Sequence, residues 1–388
     1  MALTESSARG SFLVHSARLV QGDGIEDDGW VRIEDGAVVA TGGGDDWAPA
    51  DTVVDARQVA GPGALLTPGF VDIHGHGGAG AAFDDGADAI RTARSMHRAH
   101  GTTRAVVSLV TAPLDVLAAR AAAVADMPDE DILGSHLEGP FLDVGHKGAH
   151  DPGLLRAPTR DDVARLLDAG RGTVRQITLA PELPGGLDAI RIAVAAGTAA
   201  AVGHTDADDD TVRAAFDAGA TILTHAFNAM RGIHHREPGP VLTAAADRRV
   251  VIEAIADNVH LHPQVIKLVF DEAPGRVALV TDAMAAAGSA DGDYMLGSLH
   301  VTVRDGVARV DSGSIAGSTL TQDVALRRAV EAGVPLAAAV RALTATPAAA
   351  IGFGDRLGAL RPGLVGDAVL LDAELRVQRV WTGAPVGR

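Results

Sequence analysis

The chain has 388 residues, no cysteine, 33 basic against 50 acidic side chains and a hydrophobic fraction of 47%. That composition excludes disorder, a disulfide framework and thiolate metal ligation, so any metal must sit on His, Asp or Glu. A formal charge of −17 excludes sequence-independent binding to nucleic acid or to an anionic membrane. The opening residues lack a basic region followed by an apolar run, and no uncharged apolar stretch reaches the roughly 18 residues of a membrane span. A soluble, cytoplasmic protein is expected, with one large domain and a smaller one.

From the N-terminus, FLVHSARLV, WVRIEDGAVVATGGG and DTVVDARQVA alternate as short strands, with a hairpin turn at Asp35-Gly36. The end of the chain, LGALRPGLVGDAVLLDAELRVQRVWTG, has the same texture. The two ends are expected to form one small β-sandwich domain from residues 1–66 and 351–388. Between them strand and helix alternate. LLTPGFVDIHGHG leads to a helix over 88–100, TRAVVSLVT to one over 114–125, and DILGSHLEGPF to one near 159–169. VRQITLAPE leads to a helix near 187–196, TAAAVGHTDA to one over 210–218, then TILTHAFNAM, RVVIEAIADNVH with a helix near 263–272, and RVALVTDAM. Eight β-type runs with helical connections predict an α/β fold, a (β/α)8 TIM-type barrel over residues 67–350. A doubly wound open sheet would want a phosphate-binding glycine turn after its first strand, and GHGGAG, interrupted by His76, is a poor one. SLHVTVRDGVARV then predicts a hairpin turning at Asp305-Gly306, followed by helices near 322–332 and 336–343.

Where the histidines fall carries the chemistry. His74 and His76 end the first barrel strand, and residues two apart share a strand face. Glu138 ends the third strand, His204 the fifth, His225 the sixth and Asp282 the eighth. Barrels build active sites at these C-terminal ends. A single such His is most simply a hydrogen-bonded structural residue. Four His and two carboxylates on one rim are instead a ligand set for a divalent ion, zinc first, with iron, cobalt or manganese also admitted. The carboxylate of the eighth strand suits a proton shuttle beside a metal-activated water, which points to metal-assisted hydrolysis.

PGFVDIHGHGG, HLEGPFL followed by KGAHDP, GHTDA, THAFNAM, REPG, IADNVH, VTDAM and AGSTLT, spread over nearly the whole chain, resemble the amidohydrolase superfamily. Within it they resemble the N-acetylglucosamine-6-phosphate deacetylase family. The resemblance implies hydrolysis of N-acetyl-D-glucosamine 6-phosphate to D-glucosamine 6-phosphate and acetate, by a homodimer in amino-sugar metabolism. It implies Glu138, His204 and His225 as metal ligands, and His74 and His76 at a second ion where a member binds two. It makes Asp282 the acid/base, grouped with the ligands, and His150 the contact to the acetyl carbonyl. Asn228, Ala229, Arg236 and His260 fall at sugar-phosphate positions, the arginine in some members coming from the neighbouring subunit. Ile315 falls beside the acetyl group. Another branch of the superfamily bridges its metals with a carbamylated lysine on the fourth strand. Lys147 and Lys267 are the only lysines and VRQITLAPE has none, so Glu138 is the expected bridge.

Blander roles are expected elsewhere. His136 is read as support for the site, His97, His100 and His262 as structural or surface residues, and Asp208-Asp209-Asp210 as a helix N-terminus. Asp206 is expected beside the site, Met230 in packing, and His234, His235 and Lys147 either exposed or on substrate. The competing activities are deacetylation of another amino-sugar phosphate, such as N-acetylgalactosamine 6-phosphate, and hydrolysis of an N-acyl amino acid. A non-catalytic scaffold would have lost rim residues, and none of the six is lost.

Overall fold

The computed structural model describes residues 3–6, 10–22 and 24–386. Eight parallel strands run in one sheet: Phe70–Asp72, Thr102–Val110, Ile132–Glu138, Val174–Leu179, Ala199–Val202, Ile222–Leu223, Val251–Ala254 and Val277–Leu279. Each pairs with its sequence neighbours without a reversal of order, which excludes a doubly wound sheet and defines a (β/α)8 barrel.

Side chains close the seam between the eighth and first strands. Gln322 donates from Nε2 to the carbonyls of Val71 (3.0 Å) and Leu279 (3.4 Å), and Thr281 donates from Oγ1 to Asp72 Oδ2 (2.6 Å). The N–H of Asp282 reaches the carbonyl of His74 at 2.8 Å. Two rim residues from opposite ends of the chain are thereby set side by side.

The outer helices start where capping chemistry places them. Thr159 accepts from the Asp162 N–H ahead of Arg160–Ala169, and Asp208 from the Thr211 N–H ahead of Asp209–Asp217. The acidic run at Asp208 is therefore a helix start. A helix over Gly239–Ala246, between the sixth and seventh strands, goes beyond the sequence reading, as does the strand Gly292–Leu296. That strand extends the predicted hairpin, Leu299–Arg304 and Val307–Val310, to three strands.

A second sheet joins both chain ends. Its order is Leu3–Ser6, Val377–Thr382, Ala368–Leu371, Leu65–Pro68, Ser11–Gln21, Gly24–Glu34 and Ala37–Gly43, with Thr52–Asp55 also on Ser11–Gln21. Phe12 stacks on Trp381 at 5.3 Å in its own apolar core. At the Asp35-Gly36 turn a Cβ on Gly36 would lie 2.3 Å from the Ala384 nitrogen, so the hairpin tip that meets the C-terminal segment needs glycine. A buried ion pair joins the two bodies: Arg104 on the second barrel strand meets Asp367 through Nε (2.6 Å) and Nη2 (2.9 Å).

His97, on the helix Ala87–Ala99, is buried and donates from Nε2 to the Gly77 carbonyl (2.9 Å), supporting the loop after His76. Burial, partly offset by that carbonyl, pushes its pKa down to about 4. A depressed pKa contributes stability above the unfolded value near 6.5, and loses it as pH falls toward 4. Acidification from pH 7 to 4.5 is expected to cost on the order of 3 kcal/mol at this residue. Urea unfolding of wild type and His97→Gln at both pH values checks it, and an equal pH dependence in the two would refute it.

Candidate active site

The strand ends converge on a cleft of about 400 Å³ lined by His76, Glu138, His204, His225 and Asp282, with His74 fully buried beside them. The chain leaves three of the strands through strained turns, with φ of 47° at His204, 26° at His225 and 48° at Asp282. Each turn folds its side chain back over the barrel mouth. Gly203 permits this for His204, because a Cβ there would come within 2.6 Å of Thr224 Cβ.

Glu138 is the centre. Its Oε1 lies 3.2 Å from His204 Nε2, 3.3 Å from His225 Nε2 and 3.3 Å from His74 Nε2. Its Oε2 lies 3.1 Å from His76 Nε2 and 3.5 Å from His150 Nε2. Asp282 Oδ1 faces His76 at 3.2 Å and His74 at 3.6 Å. Two buried groups result, Glu138 with His204 and His225, and His74 with His76 and Asp282, each with its donor atoms within 4.8 Å of one another.

These donors fit a divalent cation. His204 gives its Nδ1 proton to the His146 carbonyl (2.9 Å), and His74 gives its own to Glu253 Oε2 (2.9 Å), so both Nε2 atoms face the site. His204 Nε2 and His225 Nε2 stand 3.0 Å apart beside a carboxylate oxygen, an arrangement that needs positive charge between them. Among the described residues, His74 Nε2, the nitrogen facing the site, is buried with no hydrogen-bond partner. Without an ion, protons supply that charge. Burial opposes charge on His76, but Asp282 and Glu138 outweigh it and lift its pKa to about 9. Burial likewise opposes ionisation of Glu138 and Asp282, and the histidines, His74 foremost by charge, hold both well below the ordinary carboxylate range.

The same cleft is also lined by His150, Asn228, Ala229, His260 and Ile315. His150 is held by Thr111 through Nδ1 (2.8 Å) and burial pushes its pKa down to about 4, so it is neutral. His260 is oriented by Asp257, Nδ1 to Oδ2 at 2.7 Å. Asn228 braces its own turn, donating to the carbonyls of His225 and Ala226. Leu296 and Ile315, in and after the three-stranded sheet, wall the cleft on one side. Arg236 is the exception. It is exposed, donates to His235 Nε2 (2.7 Å), and is not among the residues lining this cleft.

The blander expectations resolve as well. His136 spends both nitrogens, on Ser108 Oγ (2.9 Å) and Thr178 Oγ1 (2.8 Å), and therefore supports the site beneath His74. His100 pairs with Asp323, and His262 caps Pro263–Glu272. Asp206 pairs with Arg231 at the edge, Met230 is buried on the cleft wall, and Lys147 donates to the Gly148 carbonyl. Sequence reasoning missed Glu253, Thr111 and His146. The available signals were positional: Thr111 just past the second barrel strand and Glu253 the lone acid in an apolar strand, whereas His146, in the short turn Val144–His146, had none.

A model of the amidohydrolase family matches residues 65–386. The N-acetylgalactosamine-6-phosphate deacetylase of Escherichia coli O157:H7 is 39% identical over 95% of this chain and 97% of that protein. The N-acetylglucosamine-6-phosphate deacetylase of Vibrio furnissii is 36% identical over 81% of each. Among solved structures, a mutant of the Mycobacterium smegmatis N-acetyl-D-glucosamine-6-phosphate deacetylase, in complex with N-acetyl-D-glucosamine-6-phosphate, is 42% identical. It superposes with a TM-score of 0.91 over 97% of this chain and 100% of that one. Barrel and rim together define a hydrolase with a divalent-metal site, and the chain belongs to the amidohydrolase family. Within that family its near-full-length relatives are deacetylases of N-acetyl amino-sugar 6-phosphates, and it is accordingly a hydrolase of an amide C–N bond.

Proposed function

We propose that this chain hydrolyses N-acetyl-D-glucosamine 6-phosphate to D-glucosamine 6-phosphate and acetate. The carrying observation is the pair of buried ligand groups that meet at Glu138 in the cleft, one of them including Asp282, with His150 beside them. In this reading Glu138, His204 and His225 hold one divalent ion, and His74, His76 and Asp282 a second. The nitrogen and oxygen donors favour zinc, with iron, cobalt or manganese admitted by the same set. When bound, the metal acidifies water and polarises the acetamide oxygen.

Asp282 takes the proton of the attacking water and returns it to the departing amine, which cannot leave as an anion. His150 faces the acetyl carbonyl from the side of Thr111, and Ile315 packs on the acetyl methyl. Asn228, the Ala229 backbone and His260 hold the sugar phosphate. Arg236, outside its own cleft, serves the cleft of a second copy in a homodimer, where its planar fork suits phosphate. A charged sugar phosphate does not cross membranes unaided, which supports a cytoplasmic enzyme.

A second reading, preference for N-acetylgalactosamine 6-phosphate, is favoured by the 39% identity to the E. coli enzyme of that name. Acetate release from the two epimers decides between them, and a preference for the galacto sugar would overturn the first. Arg236→Ala is expected to lower kcat/KM for the phosphorylated sugar by about 10- to 100-fold, the worth of one charge-assisted contact. The same change on the sugar without phosphate would refute its role.

A further inference from the structure

We propose that Glu253 is a positioning residue that aims His74 at its ion and ties the two ligand groups together. This rests on the metal-dependent reading above. Glu253 lies on the seventh strand, Val251–Ala254, and is fully buried. Oε2 accepts from Nδ1 of His74 (2.9 Å) and from the backbone N–H of His225 (3.2 Å). Oε1 accepts from Nε2 of Gln176 on the fourth strand (2.7 Å).

Three donors on two oxygens leave this carboxylate committed, so it is an anchor for ligands and no ligand itself. Its hold on Nδ1 fixes that proton, which leaves Nε2 of His74, the atom without a hydrogen-bond partner, to present its lone pair to a cation. The same oxygen steadies His225 at φ 26°, the turn that delivers a ligand to the other group. One carboxylate oxygen thus touches a member of each group, on a strand that supplies none of the ligands.

Gln176 makes the idea separable from charge. Among the described residues its own Oε1 is buried with no hydrogen-bond partner. In Glu253→Gln, the new amide can therefore keep its oxygen toward His74 and His225. It would turn its NH2 toward Gln176, which reverses its own amide to receive it. Glu253→Ala removes the acceptor altogether.

The test is zinc titration of ion-stripped wild type, Glu253→Gln and Glu253→Ala against a chromophoric chelator. Bound ions are counted per chain, and the melting temperature of each ion-stripped protein is recorded. In Glu253→Ala the site of His74, His76 and Asp282 is expected to weaken by about 10- to 100-fold, the range for a lost outer partner, and the other site by less. Glu253→Gln is expected to restore the first site to within about threefold of wild type, given that its acceptor is kept. An unchanged first site in Glu253→Ala, or a Glu253→Gln as weak as alanine, overturns the proposal. So does equal weakening of both sites in step with a fall in melting temperature, the signature of a merely structural role. If the alanine variant does not fold, Glu253→Asp decides, since it keeps the charge but withdraws the oxygen from Nδ1. Loss of the first site there supports the proposal and its retention refutes it. A wild-type count of one ion refutes the two-group reading itself, and the tie between groups falls with it.

Discussion

Asp282→Asn is expected to lower kcat on the 6-phosphate substrate by about 10²- to 10⁴-fold, the range for loss of a general acid/base. KM is expected to change little. The carboxylate is buried, and its Oδ1 lies 3.2 Å from His76 Nε2 in the cleft. Asparagine matches it in shape and leaves an oxygen toward the two histidines, but it cannot take a proton from water or pass one to the leaving nitrogen. The loss should therefore appear equally in kcat and kcat/KM, as for an interaction made only in the transition state. Steady-state kinetics with the ion content of the same preparation checks this. Full turnover would refute the proton shuttle, and loss of an ion in proportion to activity would make Asp282 chiefly a ligand.

The residues legible in the sequence were those whose meaning is local. Apart from His76, each rim residue follows an apolar run, so the strand ends announce themselves and bring His74, His76, Glu138, His204, His225 and Asp282 together. The turns at Asp35-Gly36 and Asp305-Gly306 were equally local, with positive φ at both residues of each. What escaped depends on pairing across the barrel. The supporting role expected of His136 holds, but the partners that fix it, Ser108 and Thr178, lie 28 and 42 positions away and were not legible. Glu253 acquires its role only because the fourth strand brings Gln176, and the first His74, to either side of it. The helix Gly239–Ala246, GPVLTAAA, has neither a polar stripe nor a side-chain cap to mark it. Arg236 shows the opposite limit. Its motif points to phosphate, yet its own chain leaves it outside the cleft, and in the proposed reading a second copy supplies the cleft it serves.

Removing the ions with a chelator is expected to abolish turnover and lower the melting temperature, with both restored when a divalent ion is returned. The size of the stability change should grow with pH. In the ion-stripped protein the cluster is neutralised by protons, and the His76 pKa stands at about 9 because Asp282 and Glu138 outweigh its burial. A raised pKa gives stability that is fully present below the unfolded value near 6.5 and fades as pH rises through 9. The ion-stripped form is therefore expected to lose on the order of 3 kcal/mol from this residue between pH 6.5 and 9. The loaded form does not share the loss, because a ligating imidazole has already given up that proton. Mass action adds about 4 kcal/mol to the loaded form when free ion stands a thousandfold above its Kd. For the same reason ion affinity should climb with pH toward 9, each binding event releasing protons. Melting temperatures of loaded and stripped protein at pH 6.5, 7.5 and 9 test this pH dependence. A gap that stays constant or narrows with rising pH would show that protons do not stand in for the cation at His76.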